Sequence, residues 1–86
     1  MAKYLITYDL NKVGQNYEDL INKIKSYKYY SHPMLSVWFI KSDNSAEVIY
    51  NSLAPFIDKN DRIFVQEITS NRCGWLSQVD IDFLKS

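Results

Sequence analysis

"YYSHPMLSVWFIKS", residues 29–42, decides the fold. The stretch is rich in aromatic and β-branched side chains, which suit a half-buried pleated surface. Pro33 interrupts it. Proline cannot donate to a ladder, so it marks an edge strand, a bulge or a turn. Two strands, at 28–34 and 36–42, with a tight reversal around Met34–Ser36 are expected. A single long bent strand is the alternative.

Working outward toward the N-terminus, residues 3–9 alternate, with Tyr4, Ile6 and Tyr8 on one face and Leu5, Thr7 and Asp9 on the other. The pattern predicts a strand that is largely apolar on both faces. Asn11, Lys12 and Gly14 break it, and from Asn16 the period changes. Tyr17, Leu20, Ile21, Ile24 and Tyr27 recur at helical spacing. Asn16 suits an N-cap, Glu18 and Asp19 suit the first turn, and Lys23, Lys25 and Lys28 suit the other end of the dipole. That logic accounts for the lysines without a basic nucleic-acid helix.

Toward the C-terminus, Asn44 and Glu47 have capping-box spacing ahead of a second helical stripe formed by Ala46, Ile49, Tyr50 and Leu53. Pro55 ends or kinks that helix. "RIFVQEI", residues 62–68, reads as a strand with Ile63 and Val65 facing one way and Phe64 the other. In the tail, Trp75, Leu76, Val79, Phe83 and Leu84 fit a short helix over 76–85 with Ser77 as its cap. Asp80 and Asp82, two residues apart, do not face each other and read as a solvated face.

The order is β-α-β-β-α-β plus a C-terminal helix. This is the ferredoxin-like α+β plan, a four-stranded antiparallel sheet with two helices on one face. It makes one domain over 1–86, with 70–86 as an appendage. Two helices leave the other face open, carrying Leu5, Thr7, Asp9 and several aromatics. Exposed apolar area of that kind predicts a homodimer through the open face or an edge strand.

Composition narrows the function. A chain of 86 residues buries only roughly 60–65% of its unfolded surface, so self-association would help it. Ten basic and ten acidic side chains cancel, so the bulk basic excess of a dedicated polynucleotide binder is missing. Cys73 is the sole cysteine and His32 the sole histidine, which rules out an intrachain disulfide and a zinc site built from Cys and His. Gly14 and Gly74 are the only glycines, too few for a Walker or dinucleotide-binding loop. No apolar run approaches ~18–20 residues, so a cytoplasmic protein without a membrane partner is expected.

With "TYDL" closing a strand, then an amphipathic helix, "SVWFI", a second helix and "NDRIFVQEI", the chain resembles the superfamily of CRISPR-associated protein two. That superfamily also includes the virulence-associated protein D ribonuclease toxins. The resemblance is closest to small bacterial and phage members that look like "YLITYDL…HP…SVW…DRLFV…GWL", and it covers about the first seventy residues. It implies a homodimer in which two copies of the strand-one Asp hold a divalent metal for phosphodiester hydrolysis. The matching position is Asp9, preceded by Tyr8, and Ser36, Val37 and Trp38 match the "SV[FW]" element. The arginine-rich first helix of the superfamily is replaced here by a few lysines, and "SHPML" stands where an Arg precedes that element.

Two readings of Asp9 follow. As a ligand for Mg²⁺ or Mn²⁺, paired with its copy across a dimer, it would activate water for attack on RNA or DNA. As a strand-end residue it would bond backbone N–H groups in the turn. His32 could act as a general acid or as a plain packing histidine. Tyr8 and Trp38 could stack bases or fill core; Asn11 and Lys12, which follow Asp9, and Ser36, in the matched element, are the further candidate binding residues. The neutral charge, the missing arginines and the absence of a second obvious catalytic group favour a non-catalytic dimeric module that binds a nucleotide, an oligonucleotide or a partner protein, with Asp9 structural. The metal-dependent endonuclease is the alternative.

Overall fold

The computed structural model describes residues 1–11 and 17–86. In chain order it comprises β1 (Ala2–Asp9), α1 (Glu18–Lys25), β2 (Tyr29–Met34), β3 (Val37–Ser42), α2 (Ala46–Leu53), β4 (Arg62–Ile68) and α3 (Gln78–Lys85). A 3-10 turn at Ala54–Phe56 follows α2, placing Pro55 where a missing N–H costs nothing. The sheet order is β2-β3-β1-β4, and every pairing is antiparallel. The fold is ferredoxin-like, and residues 29–42 form two strands, not one. Pro33 sits in the outer strand β2, where the register against β3 shifts between Ser31 and Met34. An edge position with a local bulge is where a residue without an N–H is tolerated.

Cross-strand partners define the two faces. Ile6 lies opposite Trp38 and Val65, Tyr4 opposite Ile40, and Tyr8 opposite Ile63. This face meets the buried residues Leu20 and Ile24 of α1 and Ile49 and Leu53 of α2. Burying each of these Leu and Ile side chains contributes about 1.5–3 kcal/mol. The Tyr4 hydroxyl escapes the core by donating to the Asn44 carbonyl at 2.7 Å. The expected Asn16 cap lies outside the described residues. In α2 the N-cap is Ser45, not Asn44; its hydroxyl accepts from the Val48 amide at 3.2 Å. Tyr50 was expected in the α2 core stripe but lies exposed.

The other face carries Leu5, Thr7 and Asp9 as expected, yet it is not left open. The C-terminal segment folds back over it, leaving Phe39 only 4% exposed. Helix α3 packs against β2. Asp80 is buried, not solvated: it accepts from the Ser31 hydroxyl on β2 and from the Ser77 hydroxyl at 2.6 Å. Ser77 is the N-cap residue, but its hydroxyl serves Asp80 instead of a backbone amide. Lys41 closes the far end, lying 4.5 Å from the Phe83 ring centroid and bonding the Ser86 hydroxyl. Trp75 and Val79, expected on the buried side of this helix, are exposed.

Replacing Asp80 with Ala should remove the tie between α3 and β2 at a cost of about 1–3 kcal/mol. Native-state hydrogen exchange should then accelerate at 78–85 while the amides of β1 keep their protection. Equal loss of protection in β1 would show that α3 does not open separately.

Candidate functional site

Asp9 ends β1 on the face away from α1 and α2, directly opposite Arg62 of β4. Its side chain is exposed. Together with Thr7 and Phe64 the two line a shallow depression of about 390 Å³. Among the described residues no donor reaches the Asp9 carboxylate, and the one ion pair is that of the Met1 amino group with Asp43 at 3.9 Å. The Arg62 guanidinium instead donates to the Asp61 carbonyl at 3.1 Å. Asn11 fastens the strand end. Its amide nitrogen donates to Asp61 Oδ1 at 2.8 Å, and its side chain donates to the Asn60 carbonyl at 3.2 Å. Lys12 lies outside the described residues.

Asp61, just before β4, is the carboxylate that organises this end of the molecule. It is 6% exposed and accepts from the Asn11 amide, the Tyr17 hydroxyl at 2.8 Å and the Asp58 amide at 2.7 Å. Its link to Asn11 spans 50 positions, beyond the reach of any local pattern.

Tyr8, His32 and Trp38 do come together, on the opposite face of the sheet from Asp9. The His32 imidazole lies flat on the Trp38 indole, with centroids 3.7 Å apart and an 8° tilt. Its Nε2 lies 3.2 Å from the Leu35 carbonyl. A carbonyl can only accept, so Nε2 carries the proton. Trp38 Nε1 donates to the Tyr8 hydroxyl at 2.9 Å, and that hydroxyl donates to the same Leu35 carbonyl at 3.4 Å. Ser36 contributes only its carbonyl, which accepts from the Tyr8 amide at 3.2 Å. Tyr30 tilts against the indole at 6.0 Å.

Cations surround this strand. Lys25 Nζ stands 5.9 Å from the Trp38 centroid, and Lys28 and Lys41 stand 5.4 and 5.8 Å from that of Tyr29. Tyr29, Tyr30 and His32 are exposed. In the sequence Lys25 and Lys28 read as helix-end charges in preference to a basic nucleic-acid helix; the i, i+2 spacing of Tyr30 and His32 on one strand face is the signal that places aromatic rings near Lys25.

Among the described residues no group of three His, Cys, Asp or Glu side chains could hold a metal ion. At this strand end the described residues offer Asp9 alone, with Arg62 opposite, so they do not by themselves fit Mg²⁺ or Mn²⁺. No described helix is long and apolar enough to cross a membrane. The fold and its edge-strand aromatics define a small ferredoxin-like α+β domain. No protein-family model and no solved structure matches the chain.

Proposed function

We propose that the chain is a small dimeric module that binds a nucleotide or an oligonucleotide, with Asp9 as a strand-end polar group. The observation that carries this reading is the His32–Trp38 stack, exposed at His32, with Lys25 over the indole and in no ion pair with a described residue. A ring already held parallel to its neighbour is a platform on which a base can stack at little ordering cost. Lys25, over the indole, and Lys28, just before the strand, supply local positive charge despite the neutral total. The resemblance to the superfamily of CRISPR-associated protein two points to the same class of partner.

Fluorescence anisotropy of a short labelled oligoribonucleotide at low salt tests the reading. His32→Ala should weaken binding by the roughly 1–3 kcal/mol that base–aromatic stacking is worth. Lys25→Gln with Lys28→Gln should flatten the salt dependence. An unchanged affinity in both variants, or no binding by the wild type, would remove it.

The competing reading is a metal-dependent endonuclease with two Asp9 carboxylates brought together across a dimer. In its favour stands the exposed Asp9 carboxylate, which accepts from no described donor. Cleavage of RNA or DNA in Mg²⁺ or Mn²⁺ that disappears in EDTA and in Asp9→Asn would establish it. We expect no such cleavage.

A further inference from the structure

The tail and the sheet enclose an apolar groove of about 590 Å³, walled by Leu5 and Phe39 of the sheet, Met34, Ile68, and Ile81 and Leu84 of α3. At its lip stands Trp75, 98% exposed. The next residue, Leu76, is half-buried and lines the groove. Phe39 and Leu84 at the floor of the groove are already covered, but Met34 on its wall and Trp75 at its lip are left in water on one face. Wall and ring are each the complement of the other.

We propose that the occupant of this groove is Trp75 of a second copy of the chain, inserted reciprocally across a two-fold axis. The proposal rests on the dimeric reading above and assigns its surface. An isologous arrangement lets each copy offer both the anchor and the groove, so the assembly closes at two. Each tryptophan removes roughly 150–250 Å² of its own surface from water. With walls of equal area, counted in both directions, the two anchors account for roughly 600–1,000 Å², half or more of the ~1,200 Å² at which stable complexes begin, as suits a weak dimer. Met34, half-exposed on the groove wall, adds further apolar area. A central aromatic anchor seated in a desolvated pocket is where binding energy concentrates in such interfaces. Asp9 lies four residues beyond Leu5 on the same face, about 13 Å along the strand, so this mode does not depend on an Asp9 pair.

The test uses light scattering and tryptophan emission over a protein dilution series. Trp38 is buried and contributes a fixed background, so emission should shift to the blue as concentration rises and Trp75 is covered. Trp75→Ala removes the anchor, and Met34→Glu places a charge on the groove wall. Both sites are exposed, so circular dichroism should show intact folds, and each variant alone should be monomeric. Mixed, they should recover dimers, because one intact anchor meets one intact groove. A monomeric wild type overturns both this proposal and the dimeric reading. A dimeric Trp75→Ala, an emission that ignores concentration, or a mixture that stays monomeric overturns the insertion alone.

Discussion

Trp38→Ala should cost about 3–5 kcal/mol, the range for removing a large aromatic from a packed interior. Trp38 is 2% exposed, and it joins three strands. It stacks under His32 of β2, donates to Tyr8 of β1, and lies opposite Ile6. Its loss leaves a cavity, strips a partner from the Tyr8 hydroxyl and removes the support for the His32 ring. For a domain of this length each kcal/mol moves Tm by about 4–8 °C, so the variant should melt at least ~12 °C below the wild type. Trp38→Phe keeps a ring for stacking and gives up only the Nε1–H donor and some volume, so it should recover much of that loss. Thermal melts of the two variants check the order. If the two were equally unstable, the indole hydrogen bond rather than the packing would dominate.

Asp61→Ala should cost about 2–4 kcal/mol, because two backbone amides and a tyrosine hydroxyl lose one shared acceptor. Asp61→Asn is the sharper variant. It preserves the shape and Oδ1, yet turns Oδ2 into an N–H group facing the Asp58 amide, donor against donor. It should therefore destabilise, although it is nearly isosteric. Denaturant unfolding gives the cost, and hydrogen exchange should accelerate first at Asn11 and Asp58. A change below about 0.5 kcal/mol, the ordinary range for a surface site, would mean that water replaces the carboxylate without penalty.

These two residues also show where sequence reading ran out. The pleat of β1 and β4 is a property of neighbouring residues, so alternation located Tyr4 and Ile6 in the core and Asp9 on the other face. Ile63 and Val65 against Phe64 followed the same rule. Helical period found Leu20 and Ile24 for the same reason. Asp61 was invisible because its value comes from Asn11 and Tyr17, both more than forty positions away. Asp80 looked like a solvated residue until Ser31 of β2 met it across the fold. Trp75 was assigned inward because helical spacing was extended back past Ser77, where the helix begins. Among the site candidates, Tyr8, His32 and Trp38 assembled. Asp9 did not join them, because successive residues of a strand point to opposite faces.

The edge strand with its interrupted register has a consequence for how many copies can ever come together. A sheet that exposes two regular edges can recruit strands at both, and such growth has no natural end. Here Pro33 and the shift between Ser31 and Met34 spoil one edge, while β4, free of proline, keeps a regular one. Backbone pairing can proceed from that side alone. Edge pairing by itself should therefore stop at two copies and not propagate into a fibre.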